Sequence, residues 1–331
     1  MAVAALLATA VLPGCAQARP APVADPSGFL KRFLDPAGRV VDTGNGGISH
    51  SEGQGYGLLI AEATGDRAGF DRIWAWTRAT LMRPDGLFSW RYDPRAARPV
   101  GDPNNATDGD ILIAWALLRA SRRWPGGDYG GAGRAIRDAV AAKLIVDRGG
   151  RAVLLPGLTG FLREDRLTLN PSYYVWPALD AFAKADGGRW TTLVRDGDLL
   201  MRQARFGASA LPTDWIDIGA DGRVAPAADK PARFGFDAIR VPLYLAWSGR
   251  KAGLTPFVKF WSGFTARDAP VPAWIDVASG EIAPYPLSDG AQAIVRLVAP
   301  SSPARPRLNP AAGDYYSSVL ATLAWLAAKR A

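Results

Sequence analysis

Six times along this chain a polar residue, usually a carboxylate, stands at the head of an apolar helical run. These heads are Glu52, Asp108, Tyr173, Asp237, Asp289 and Asp314, about 56, 65, 64, 52 and 25 residues apart. Most of the intervals leave room for a second, more polar helix. Ala68 to Met82 is such a helix, with Phe70, Ile73, Trp74, Thr77 and Leu81 on one face, and Ala132 to Leu144 is another. The run Ile111-Leu112-Ile113-Ala114-Trp115-Ala116-Leu117-Leu118 is apolar almost all round, so it must be buried on most sides. Helical hairpins at this spacing suit a ring whose inner helices present polar N-termini at one end. The reading is all-α, with short strands and loops such as Leu87 to Tyr92. With 331 residues, 48% of them hydrophobic, the chain has ample core, and no linker or composition break follows residue 26, so we expect one domain.

The first of these heads is the most unusual. Ser51 followed by Gln54 has the form of a capping box, the hydroxyl accepting from the Gln54 backbone N–H and the Gln54 side chain reaching back. Glu52 then lies in the first turn, where unpaired backbone donors point outward. Glycines at 53, 55 and 57 follow, each costing about 1 kcal/mol against alanine inside a helix. Close approach of another body to bare backbone is the reason we expect. Asn105-Ala106-Thr107-Asp108-Gly109-Asp110 again places carboxylates in a first turn, one of them accounted for by ordinary capping. Asn170 with Pro171 is a further start signal, N-cap followed by first helical position.

Composition excludes several chemistries. The only cysteine is Cys15 and the only histidine is His50. A Ser–His–Asp triad, a Cys–His pair and a His- or Cys-rich zinc site are therefore out, and carboxylates must carry any acid–base work. We expect no cofactor and no metal. The net charge of +8 comes from arginines scattered through the chain, without a basic block, so no nucleic-acid partner is implied.

The N-terminus resembles a targeting segment. Ala2 to Leu12 is an apolar stretch too short to span a bilayer, and Ala16-Gln17-Ala18 has the small-x-small form of a signal-peptidase site. Leu12-Pro13-Gly14-Cys15 also resembles a lipoprotein box. The expectation is a signal peptide over 1–18, or a lipoprotein signal to 14, ahead of a catalytic domain at 19–331. Export to the periplasm follows, with membrane attachment only through lipid on Cys15.

Four motifs in order, Ser51-Glu52-Gly53-Gln54-Gly55-Tyr56-Gly57, Asn105 to Asp110, Asn170-Pro171-Ser172-Tyr173 and Phe236-Asp237-Ala238-Ile239-Arg240, resemble those of glycoside hydrolase family 8. Leu154-Leu155-Pro156-Gly157 and Pro212-Thr213-Asp214-Trp215 add to the likeness, which covers nearly the whole mature chain. The resemblance implies an (α/α)6 barrel with its cleft at the inner-helix N-termini. It also implies an inverting glycosidase, with Glu52 as general acid, Asp237 as general base and Asp108 positioning the sugar. In such enzymes the acid protonates the leaving oxygen while the base activates water on the opposite sugar face, with the carboxyls about 6.5–9.5 Å apart. Glu52 must then carry a proton despite a helix N-terminus that favours its anion, with Asp108 and an apolar surround opposing. Arg240, three residues after Asp237, can share its helix face and aim the base; a surface ion pair is the alternative. Phe236 departs from the tyrosine that the family often places before the base, which leaves the holding of the attacking water in question.

Within that resemblance the substrate is cellulose or a β-1,4-glucan oligosaccharide. A short exported chain of this kind is similar to the endoglucanases that serve bacterial cellulose synthesis, and the cellulose synthase machinery is the implied partner. Twelve tryptophans suit sugar stacking. By motif position Trp90, Tyr173, Trp176, Arg240, Gln54 and Tyr56 are the substrate-binding candidates. Trp74, Trp115, Trp247 and Trp325 lie on helical apolar faces and read as core, and His50 reads as a hydrogen-bonding neighbour of the acid. Xylanase, chitosanase and lichenase activities occur in the same family and stay open at this level, as does a glucan-binding protein without catalysis.

Overall fold

The apolar runs fold as helices close to where their periodicity puts them. The computed structural model describes residues 26–299 and 313–329, so the leader features, Cys15 among them, lie outside the described residues. Among these are α1 (Pro26–Phe33), α2 (Ser51–Thr64), α3 (Arg67–Leu81), α4 (Thr107–Arg123), α5 (Tyr129–Lys143), α6 (Trp176–Asp186), α7 (Gly188–Gln203), α8 (Arg240–Trp247), α9 (Thr255–Thr265), α10 (Asp289–Val298) and α11 (Tyr315–Ala328). The α2–α3 hairpin shows how the sequence sets such turns. Gly65 closes α2 at φ 79°, where its N–H returns to Ala61 and Glu62, and the Asp66 side chain then caps α3 through the Gly69 N–H.

Among the described residues, α2, α4, α6, α8 and α11 each pack on the next, and α11 returns to α2. Their outer partners are amphipathic. Thus α3 packs on α2, α5 on α4 and α7 on α6. Helix α10 packs on both α8 and α11 with one face, Ala291, Ile294, Val295 and Val298, rather than being apolar all round. The architecture is an (α/α)6 barrel, and one continuous core runs from Phe29 to Ala327.

Short antiparallel strands bring the chain to the inner-helix N-termini. β1 (Ser49–His50) pairs with β2 (Arg91–Tyr92), and β3 (Ile145–Arg148) with β4 (Arg151–Leu154). β5 (Arg166–Leu169), β6 (Ile216–Gly219) and β7 (Val224–Pro226) form a three-stranded sheet, and β8 (Arg233–Phe234) pairs with β9 (Ile275–Asp276). β1 runs directly into α2, β5 into a 3₁₀ turn at Pro171–Tyr173, and β8 into the turn before α8. The Asn170 start signal therefore opens that 3₁₀ turn, with its side chain accepting from Ser172 N–H; α6 starts later, at Trp176, with Pro177 in its first turn.

Candidate active site

The glycines of α2 are explained by neighbouring segments of the chain. A Cβ on Gly53 would strike the Tyr315 hydroxyl, one on Gly55 would lie 2.5 Å from Leu112 Cβ of α4, and one on Gly57 2.6 Å from Val40 Cγ2. Gly109 works from the other side, because a Cβ there would run into Ser51. The first turns of α2 and α4 thus abut, and Glu52 and Asp108 converge.

Two expectations about α2 are corrected by the same packing. Ser51 is the first residue of the helix, not its cap; its N–H donates to the Trp90 carbonyl at 3.0 Å and its hydroxyl is buried without a hydrogen bond. Gln54 does not reach back to form a capping box, nor can it touch substrate. It is fully buried, accepting from Val40 N–H at 2.6 Å and donating to the Gly38 carbonyl and to Thr77 Oγ1. Two helix positions from Glu52 is about 200° around the axis, so Gln54 faces the barrel wall while Glu52 faces the cleft.

Arg240, the first residue of α8, is buried at the centre of the carboxyl groups. Its Nη1 contacts Glu52 Oε1 and lies 3.7 Å from Asp108 Oδ2, while Nη2 donates to Asp237 Oδ1 at 2.6 Å and to Ser172 Oγ at 2.9 Å. One guanidinium is thereby shared by three carboxyls from three different chain segments, not by Asp237 alone. Tyr56, one helical turn beyond Glu52, donates to Glu52 Oε1 at 3.0 Å, accepts from Arg240 Nη1 at 3.1 Å and lies 3.2 Å from the Tyr244 hydroxyl. With 1% of its surface exposed, Tyr56 holds Glu52 and the arginine in place rather than contacting sugar.

Asp237 lies in the turn before α8, and that turn is built on Asp214. Asp214 Oδ1 accepts from the backbone N–H groups of Gly235, Asp237 and Ala238 at 3.1, 3.1 and 2.7 Å. Sequence reasoning noted Asp214 only as part of a motif and assigned it no role. Asp110 is similarly structural, accepting from Phe88 N–H and Asn105 Nδ2, so neither first-turn aspartate of α4 is an ordinary cap. Phe236 is 58% exposed, and its carbonyl accepts from the Tyr316 hydroxyl, which α11 brings beside the turn.

Burial dominates the electrostatics. Asp108 is pushed up to about 8 by burial, which outweighs the Gly109 N–H it accepts, and the negative charges of Asp237 and Asp110 add to the rise. Asp237 is raised to about 7 by burial and by Asp214, with the Asn170 side chain opposing. Asp214 itself rises to about 6 through burial, against its three N–H donors. Burial thus leaves Asp108 and Asp237 holding protons up to near neutrality, because charge on both is costly in such a place.

Beside the cluster lies a cavity of about 410 Å³ lined by Trp90, Phe161, Tyr173 and Trp215. Trp90 is partly exposed, its Nε1 donates to Asp102 Oδ2 at 2.8 Å, and its ring lies parallel to that of His50 at 6.1 Å. His50 is largely buried, which lowers its pKa, and its ring flanks the Trp90 platform. Phe161 and Trp215 lie parallel with centroids 5.8 Å apart, and Tyr173 meets Trp215 edge-on. The Tyr173 phenol is raised well above its ordinary value by burial, then by the charges of Asp108 and Asp237, which links this cavity to the carboxyls. Trp215 and Phe161 were not anticipated as lining residues; the Asp214-Trp215 motif was the available signal. Trp176 is a correction. It is 1% exposed, packed against Tyr174 with the Arg250 guanidinium 4.2 Å over its ring, and so belongs to the core together with Trp74, Trp115 and Trp247. Among the described residues no group of three or more His, Cys, Asp or Glu side chains is placed to hold a metal ion.

Comparison with known proteins identifies the family. The family model for glycosyl hydrolases family 8 matches residues 4–330. An endoglucanase from Cellulomonas uda is 46% identical over 268 residues, 80% of this chain and 74% of that protein. A probable endoglucanase from Novacetimonas hansenii is 43% identical, covering 90% and 88% respectively. The structure of an endo-β-1,4-glucanase from Acetobacter xylinum superposes with a TM-score of 0.87 at 40% identity, over 92% of this chain and 97% of that one.

Proposed function

The chain belongs to glycosyl hydrolases family 8, and on that premise we infer how its residues cleave a β-1,4-glucan. It is an endo-β-1,4-glucanase. We assign Glu52 as general acid, Asp237 as general base and Asp108 as the group that positions the sugar at the cleaved bond. The observation that carries this assignment is the shared guanidinium: Glu52 and Asp237 meet different nitrogens of Arg240, which holds them in one fixed relation at the cleft.

The reaction then runs as a single displacement. The glucan lies along Trp90 and Tyr173. Water gives a proton to Asp237 as its oxygen bonds to the anomeric carbon; the bond from that carbon to the bridging oxygen breaks, and Glu52 protonates the departing oxygen. In this reading Glu52 is the proton donor, and Arg240 with Asp214 keeps the base aimed. Inversion follows because water arrives opposite the leaving group.

The apolar segment Ala2 to Leu12 and the Ala16-Gln17-Ala18 site support export, so we place the enzyme in the periplasm, soluble or tethered by lipid on Cys15, in the service of cellulose synthesis. Fractionation of cells expressing wild type and Cys15→Ser tests the tether. Stereochemistry tests the mechanism. In proton NMR of early cellohexaose hydrolysis the first product should be the α-anomer, and the signal should vanish in Asp237→Asn. An initial β-anomer would make Asp237 a nucleophile and overturn the role given to it.

A further inference from the structure

A second cavity, also of about 410 Å³, opens away from the carboxyl cluster, between the last turn of α7, the last turn of α8 and the first turn of α9. Its floor is apolar, formed by Met201, Val241, Leu245 and Phe257. Its rim carries Arg202, Arg205, Arg250 and Lys251 against a single carboxylate, Asp198. That carboxylate is spoken for, because Arg250 contacts Asp198 at 2.9 Å and Asp180 at 2.6 Å. Arg202, Arg205 and Lys251 have no carboxylate within ion-pair range among the described residues, whereas many of the chain's other arginines do.

Like charges gathered without a counter-ion repel one another, and solvated arginines on a convex surface would spread apart. Here they ring a concave apolar floor whose volume falls in the range of small-molecule sites, about 300–1,000 Å³. We propose that this cavity binds a small amphiphilic organic anion, its apolar body on Met201, Leu245 and Phe257 and its carboxylate, sulfonate or phosphate among Arg202, Arg205 and Lys251. The chemistry differs from that of the glucan cleft. A neutral sugar chain would leave the three cations unanswered and would find no aromatic pair like Phe161 and Trp215.

The test uses 8-anilinonaphthalene-1-sulfonate, an anion on an apolar ring system that fluoresces when held out of water. Wild type should bind it saturably, near one per chain, and more weakly as salt is raised. Arg202→Glu with Lys251→Glu should raise the dissociation constant by at least about tenfold. Ala252→Trp, at an exposed position on the rim, should fill the mouth and do the same without touching the charges. Trp90→Ala should leave binding as in wild type. The neutral probe N-phenyl-1-naphthylamine should be indifferent to the charge reversal. Binding unaffected by both rim variants, or lost in Trp90→Ala, would overturn the proposal and put the probe in the glucan cleft.

Discussion

Asp108 is the place where the site costs the fold most, and Asp108→Asn exposes that cost. The carboxyl is 3% exposed, and its pKa is raised from 3.8 to about 8, chiefly by burial. An acid whose folded pKa lies above its unfolded value keeps its proton in the native state after the unfolded chain has lost its own. The native state then binds more protons, and stability falls as pH rises from about 4 to about 8. At about 1.4 kcal/mol per pH unit, the gross loss by pH 7 has a ceiling of about 4 kcal/mol. Single stabilising substitutions commonly gain about 0.5–2 kcal/mol, and we expect a net effect of that size. Asparagine has the same shape and can still accept from the Gly109 N–H, but does not titrate. The variant should therefore melt above wild type at pH 7.5, by about 2–4 °C per kcal/mol, and the gap should close towards pH 4. Its turnover on cellohexaose should fall by about a hundredfold or more through lost positioning. Differential scanning calorimetry from pH 4 to pH 8 measures the first effect. A melting temperature below wild type throughout, or a gap that does not change with pH, would refute the burial argument.

Other perturbations separate the roles further. Arg240→Lys keeps one charge but cannot span Glu52 and Asp237, so kcat should drop and the acid limb of the pH–rate profile, set in wild type by a base near 7, should move upward; an unmoved limb would free Arg240 from that role. Trp90→Ala should raise KM for cello-oligosaccharides with little change in melting temperature, whereas Trp176→Ala should cost about 3–5 kcal/mol of stability; denaturant melts of the pair distinguish platform from core. Gly55→Ala forces a Cβ to within 2.5 Å of Leu112 Cβ, and the resulting overpacking should destabilise by about 1–3 kcal/mol. A neutral melt would mean that α2 and α4 can part, against the reading of the glycine run.

What the amino-acid order determined by itself was local and periodic. Apolar residues recurring at the helical repeat placed α2, α3, α4 and α5 within a few residues of their ends, and Gly65 and Asp66 set the turn between the first two. Motif order put Glu52, Asp108 and Asp237 near the same end of the inner helices. Gln54 was within reach of the same logic, since it lies about 200° around α2 from Glu52 while Tyr56 lies about 40° from it. Tertiary structure decided the rest, because a side chain in a first helical turn takes its surroundings from whatever abuts that end. Only closure of the ring brings the Arg240 guanidinium among three carboxyls, stands Asp214 under the turn that carries Asp237, and buries Trp176 beneath Arg250 while leaving Trp90 open to the cleft. Those contacts join residues as much as about 190 positions apart. Helical periodicity reaches only a few residues along the chain, so they depend on how the helices pack.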